Sequence, residues 1–367
     1  MIPVNEPLFI SNEKKYLAKC IDSGWISSEG PFIKEFEEKF SSYIGKKYGI
    51  AVSNGTAALE VAIGALGIKP GDEVIIPTFT IISCATAVLA YGGTPVFVDS
   101  EPETWNINVN KIEEKITKKT KAIIVVHIYG HPCDMDPIMK IAKKYNLKII
   151  EDAAEVHGAE YKGRKCGSFG DISCFSFYAN KIISCGEGGM VLTDNKKYKE
   201  RAEILRNLGF EKRKRFYHQI LARNYRMTNL QAAIGVAQLK NIKKLITIKK
   251  RNAQKYTEKL KGIKGLQLPA EKEWAKNVYW MYGIVLNEST GFNAEDFAMK
   301  LIKGGIVTRP FFYPLHLQPV LKKFIKASGK YPVAERIAKQ GLYLPSGLGL
   351  KDWQINEVCN VIKKLLK

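Results

Sequence analysis

No Cys-x-x-Cys pair occurs among the seven cysteines of this 367-residue chain, so neither a zinc ribbon nor a disulfide framework is expected. Cys20, Cys84, Cys133, Cys166, Cys174, Cys185 and Cys359 read instead as small packing residues. Histidine is scarce as well, with five residues and no His-Glu-x-x-His to make a metalloenzyme. His127 and His131 have the spacing of a helical metal site, but Gly130 and Pro132 rule out a regular helix there, and no metal is expected. No apolar run reaches the ~18 residues of a membrane span. The first twenty residues lack a basic segment followed by an apolar signal core. The expectation is a cytoplasmic chain without a membrane partner. No internal repeat or low-complexity tract is detectable.

Positive charge is abundant. Lysine and arginine number 57 against 36 acidic residues, a net charge of +21. Such a field draws phosphates over a distance, and a basic nucleic-acid-binding protein is one reading of it. The lysines are dispersed, however, along amphipathic stretches such as KIEEKITKKTK, alternating with glutamate or apolar positions, as on solvated helix faces. Nucleic acid is therefore not the expected partner. The densest cluster, EKRKRF at 211–216, suits the approach of an anionic small molecule such as a nucleotide diphosphate.

The chain exceeds the usual size of a single core. Short apolar runs near 49–52, 73–76, 94–98, 122–126 and 148–150 alternate with helical patterns, a βαβ succession with a mostly parallel sheet covered on both faces. This predicts a large α/β domain over 1–245, including an N-terminal arm. After Arg226 the pattern changes, and MTNLQAAIGVAQLKNIKKLITIKKRNAQKYTEKLKGI reads as one long helix suited to bridging two domains or to packing on a partner chain. A smaller C-terminal α+β domain is expected over 246–367, with a strand in YWMYGIVL and helices near 294–302 and 353–366.

Chemistry concentrates between Asp152 and Lys181. The run at 147–150 delivers Asp152 to the carboxyl end of a buried parallel strand, the edge where α/β sheets hold ligands. The next apolar run, 172–178, leads to Lys181, which has no charged neighbour before Glu187 and lies just ahead of a Gly-rich segment at 186–189. A lysine able to form a Schiff base, with a carboxylate to keep a pyridine nitrogen protonated, is the pair that pyridoxal phosphate chemistry requires. Burial of Lys181 would lower its pKa and sharpen its nucleophilicity. SNGTAALE places Gly55, Thr56 and Ala57 at a helix N-terminus, either as an anion cradle or as a plain capped start. Ser176 is either a further phosphate ligand or a strand serine. Of the adjacent acids Glu151 and Asp152, one of such a pair often merely caps the next helix. Cys185 is a packing residue.

Together, WISSEGPFIKEFE, SNGTAALEVAI, GDEVIIPTFT, VHIYGHPCDMDPI, IEDAAEVHGA, GSFGDISCFSFYANKIISCGEGGM, NYRMTNLQAAIG and RPFFYPLH resemble the DegT/DnrJ/EryC1/StrS sugar aminotransferases over nearly the full length. The resemblance implies a fold-type I, aspartate aminotransferase-like α/β architecture with pyridoxal 5′-phosphate as cofactor. It makes Lys181 the Schiff-base lysine and proton shuttle, puts Asp152 on the pyridine nitrogen, and sets Gly55, Thr56 and Ser176 on the phosphate. Asn224 would reach the phosphate of the partner subunit, which implies a homodimer with shared active sites. Glu155 stands near the ring oxygen, with His157 following in the same motif. Ile81 occupies the place where many relatives stack an aromatic on the ring, so apolar contact would replace stacking. Trp25, Ser27, Ser28, Arg309 and His316 match segments that border the sugar nucleotide.

Lysine at 181, where some relatives carry histidine and remove a hydroxyl, implies transamination. Among subgroups the chain is most similar to GDP-perosamine synthases, which move an amino group from L-glutamate to carbon 4 of GDP-4-keto-6-deoxymannose in O-antigen lipopolysaccharide biosynthesis. UDP- or dTDP-4-keto-6-deoxyglucose, giving viosamine, is the alternative acceptor.

Overall fold

The apolar, β-branched segments lie side by side in one seven-stranded sheet. The computed structural model describes residues 1–211, 214, 216–325 and 329–366; Lys212, Arg213 and Arg215 of the basic cluster lie outside the described residues. The strands are β1 (Tyr48–Val52), β2 (Glu73–Pro77), β3 (Thr94–Val98), β4 (Thr120–Val126) and β5 (Lys148–Asp152), followed, after a short hairpin of β6 (Glu160–Tyr161) and β7 (Arg164–Lys165), by β8 (Ile172–Ser176) and β9 (Gly189–Thr193). Their spatial order is β1-β9-β8-β5-β4-β2-β3. β9 alone runs against the others, pairing antiparallel with both β1 and β8.

Both faces are covered, because side chains alternate across a strand. Ile75, Ile123, Val125 and Ile149 pack with Met135, Ile138 and Ala142 of the helix Met135–Lys144. Val74, Ile76, Ile124 and Ile150 point the other way, into a cluster with Ala57, Ala58, Val61 and Ala62 of the helix Gly55–Leu66. Strands apolar at most positions suit this double coverage.

A second sheet of four antiparallel strands joins Leu266–Gln267, Tyr282–Leu286, Gly341–Leu344 and Arg309–Pro310 in that spatial order. Its core includes Ile284, Leu286, Phe297, Leu301, Leu342, Ile355 and Ile362. Ile2 belongs to this core, held by Ile2 N–H to Gly305 O at 2.7 Å and Val307 N–H to Ile2 O at 3.0 Å. The first residues thus fasten to the C-terminal part of the chain.

The long helix expected after Arg226 is two helices, Asn229–Leu239 and Ile242–Leu260. Asn241 makes the break. Its backbone leaves helical geometry (φ −108°, ψ 10°), and its side-chain amide donates to Ala237 O at 3.3 Å. Asparagine competes for helix carbonyls in this way, which makes it a poor interior residue. Thr228 and Gln231 start the first of the two helices with a reciprocal capping box. The second spans the expected boundary at 245/246: Ile242 and Leu245 pack in the large core, and Ala253, Tyr256 and Leu260 in the C-terminal one. Among the described residues no helix is long and apolar enough to cross a membrane.

Candidate active site

Every parallel strand that matters here ends at the same sheet edge. β1 leads through Asn54 to the helix Gly55–Leu66, β2 leads to Ile81, β5 ends at Asp152, and β8 ends at Ser176 ahead of Lys181. They open onto a cavity of about 600 Å³ lined by Gly55, Thr56, Ile81, Asp152, Glu155, Ser176 and Lys181, with Trp280 and Tyr343 from the C-terminal part. Seven residues singled out from sequence therefore come together across 126 positions of chain (55 to 181).

At the floor, the Cys84 thiol donates to Asp152 Oδ2 at 3.3 Å, and Asp152 Oδ1 accepts Ala154 N–H at 3.2 Å. Burial pushes the Asp152 carboxyl above the ordinary range, against the pull of Ala154, Cys84 and the Lys181 charge. Lys181 Nζ lies 4.0 Å from Glu155 Oε1 and 3.6 Å from the centre of the Trp280 ring. Burial lowers the Lys181 pKa, with Glu155 and Asp152 opposing it, while burial raises that of Glu155. Glu155 Oε2 is held by Tyr129 N–H at 2.6 Å. Tyr129 has φ 53°, a left-handed conformation costly for a ring-bearing residue, and that geometry aims its N–H at the carboxylate.

At the rim, the start of the helix Gly55–Leu66 is both capped and open: Asn54 Oδ1 accepts Ala57 N–H at 2.8 Å, leaving Gly55 and Thr56 N–H without a partner among the described residues. Gly55 has little alternative here, since a Cβ on it would stand 2.8 Å from that of Ser176. Helix N–H groups beside a serine hydroxyl make an anion cradle. An amine deep in the cavity, a buried carboxylate and an anion cradle are the donor set that a phosphorylated pyridine aldehyde needs, and the residues fit that cofactor.

Glu151 serves a different end. Fully buried on the other side of β5, it accepts Gly167, Phe169 and Gly170 N–H at 2.6–2.7 Å and lies 3.1 Å from His127 Nε2. His127 Nδ1 accepts Cys133 N–H at 3.0 Å, so Nε2 carries the proton. Burial alone would raise the Glu151 pKa, but His127 and the backbone N–H groups outweigh it and hold it low.

Other sequence candidates do not line the cavity. Asn224 accepts from Arg226 Nε at 2.9 Å. Trp25 is 48% exposed, and the Trp25 and Ser27 carbonyls bind Asn229. Ser28 borders a separate cavity of about 120 Å³ with Arg206 and Arg226. Arg309 sits cross-strand from Tyr343, a cavity residue. His316 is occupied by Thr78 at 2.7 Å and Glu335 at 3.2 Å. His157 lies behind the cavity among Phe40, Phe175 and Phe177, its pKa lowered to about 3 by burial and by the Lys181 charge. Sequence reasoning missed Asn54, Cys84, Tyr129 and Trp280. Only Asn54, an Asx residue directly before a helix, carried a local signal.

The profile of the DegT/DnrJ/EryC1/StrS aminotransferase family matches residues 8–363. A relative from Escherichia coli O157:H7 named GDP-perosamine synthase is 43% identical over 363 residues, covering 99% of this chain and 98% of its own. Among solved structures, an aminotransferase TlmJ from Streptoalloteichus hindustanus superposes with a TM-score of 0.93 at 30% identity, covering 100% of this chain and 99% of its own. DesV from S. venezuelae, in complex with a ketimine intermediate, does so with 0.91 at 33%, covering 97% and 94%.

Proposed function

Because the chain belongs to the DegT/DnrJ/EryC1/StrS aminotransferase family, a family of pyridoxal phosphate-dependent sugar aminotransferases, we propose that it aminates carbon 4 of GDP-4-keto-6-deoxymannose, taking the amino group from L-glutamate and releasing GDP-perosamine. The observation that carries this reading is the 43% identity, end to end, with a GDP-perosamine synthase. The reading extends to a cytoplasmic homodimer with shared active sites, working in O-antigen polysaccharide biosynthesis. It extends also to domains at 1–245 and 246–367, with the helix Ile242–Leu260 carrying the chain between them.

When bound, pyridoxal phosphate supplies an electron sink for making and breaking bonds at the amine-bearing carbon. The chain's own groups do the rest. Gly55 and Thr56 N–H and the Ser176 hydroxyl bind the phosphate, and the positive end of the helix Gly55–Leu66 favours that charge. The Asp152 carboxylate holds a proton on the ring nitrogen. Ile81, a cavity residue 42% exposed, would offer the ring apolar contact. Lys181 Nζ would hold the cofactor's aldehyde carbon and, as a free amine, would move one proton to or from the substrate carbon. Burial lowers its pKa, which makes the neutral, basic amine easier to reach than in an exposed lysine. Glu155 and the aromatic wall of Trp280, Phe312 and Tyr343 limit the water that reaches this amine. The net charge of +21 steers an anionic sugar nucleotide toward the protein.

The test is to incubate purified protein with glutamate and, in separate tubes, GDP-4-keto-6-deoxymannose or dTDP- or UDP-4-keto-6-deoxyglucose, following product mass. Amination of the GDP sugar alone is expected. Amination of a glucose-derived sugar alone would reassign the substrate, and a protein without visible cofactor absorbance would sink the whole reading. Lys181→Ala is expected to keep the cofactor and lose turnover; wild-type rates from that variant would remove Lys181 from its role.

A further inference from the structure

Trp280 stands outside every motif that carries the family resemblance, yet the Lys181 amine rests on it, 3.6 Å from the ring centre. Trp280 is anchored through both its ring and its backbone. Its Nε1–H donates to Asn180 O at 2.9 Å, next door to the lysine, and its own carbonyl accepts from Lys249 Nζ at 2.7 Å. Lys249 is itself buried and also donates to Ser346 O. Gly130, with φ 107°, closes the arrangement, because a Cβ there would stand 2.6 Å from Trp280 N. A ring this firmly placed under a reactive amine calls for a reason.

The reason lies in the charge on that amine. Around Lys181 are the carboxyls of Asp152 and Glu155, the buried Lys249 amine and the neutral His157 imidazole behind the cavity, and, among the cavity's own residues, Glu187 and Tyr343. Burial strips the ammonium of its water, so the protonated form needs another source of stabilisation. A tryptophan face within ~6 Å of the nitrogen is the strongest aromatic provider of it, and more so when desolvated. Unlike a carboxylate, a π face holds the cation without being able to accept its proton. The amine seated there keeps the proton available for return.

We propose that Trp280 is a catalytic residue whose indole face holds the protonated Lys181 amine in the part of the cycle in which that amine carries the proton. The proposal rests on the transamination reading, but its test reads Lys181 alone and uses neither glutamate nor sugar.

The full-length protein, stripped of cofactor, is pulse-labelled with acetic anhydride across pH, and labelling of the Lys181 peptide is quantified by mass spectrometry to give the apparent pKa of that amine. Tryptophan is then replaced biosynthetically by its mono-, di- and trifluoro analogues, which drain the ring's negative face with little change of size. The Lys181 pKa is expected to fall stepwise, by about one pH unit in all. In Trp280→Phe, with the other four of the five tryptophans still fluorinated, it is expected to stay flat. A pKa indifferent to fluorine in the wild-type chain, or one that moves equally in Trp280→Phe, would overturn the proposal. Because fluorination is close to isosteric, a folding defect does not mask the outcome, and cofactor absorbance measured separately tests the function independently.

Discussion

Single side chains set this site by small geometric decisions. Asn54 closes one of the three leading N–H groups of its helix and leaves two for an anion. Asn54→Ala is expected to cost ~1 kcal/mol of stability and to weaken cofactor retention severalfold, read by thermal unfolding and by absorbance after dialysis; an unchanged Tm would deny the cap its role. Lys249 shows how burial acts on a charge. Its pKa is lowered to about 7 from the ordinary 10.5 by burial first and the Lys181 charge second. Below pH 7 folded and unfolded chains both hold the proton, whereas between about 7 and 10.5 the unfolded chain holds more. Stability is therefore expected to rise with pH across that window, by about 1 kcal/mol per pH unit, and Lys249→Met should flatten the rise. Denaturant titrations at pH 7.5, 8.5 and 9.5 check the slope; equal slopes in the two proteins would contradict the assignment.

At the scale of elements, the sheet edge is held in shape by contacts that touch no substrate. Glu151 and Asp152 are consecutive, and strand alternation sends them to opposite faces: one to the cavity, the other to the turn at 167–170 and to His127. Glu151→Ala would leave three backbone N–H groups, two of them buried, and a buried histidine N–H without their acceptor, at a cost of ~1–3 kcal/mol for each buried unsatisfied group. We expect the variant to lose several kcal/mol or to fail to fold, whereas Asp152→Ala, which frees only Ala154 N–H and the Cys84 thiol, should lower the Tm far less and abolish turnover. A Glu151→Ala protein with wild-type Tm would show that the turn holds itself. The paired acids thus divide structure from chemistry, a division that the sequence reading left open between them. The helix Ile242–Leu260 has a comparable double role, with its first turns in the large core and its last in the C-terminal one.

For the whole molecule, the proposed shared site is a prediction about symmetry. If Asn224 completes the partner's phosphate site, Lys181→Ala and Asn224→Ala chains, each inactive as homodimers, should regain about a quarter of wild-type activity on random mixing, since half the dimers are mixed and each holds one complete site. No recovery after co-refolding, with mixed dimers demonstrated, would assign Asn224 to its own chain. How much of this was legible beforehand follows from what is local. The apolar strands, the βαβ alternation and the Asp152 and Lys181 segments could be read because burial on both faces writes itself as continuous apolar runs, and strand ends in a parallel sheet face one edge. The antiparallel β9, the break at Asn241, the fastening of Ile2 to the C-terminal core, and the meeting of Trp280, Tyr129 and Cys84 with Lys181, Glu155 and Asp152 could not. Sequence alone determined most of the elements and which residues carry reactive groups, because propensity, periodicity and residue chemistry act over a few neighbouring positions. Tertiary structure alone decided which distant side chains share a cavity and what charge they bear there, because proximity and desolvation exist only once the chain has closed on itself.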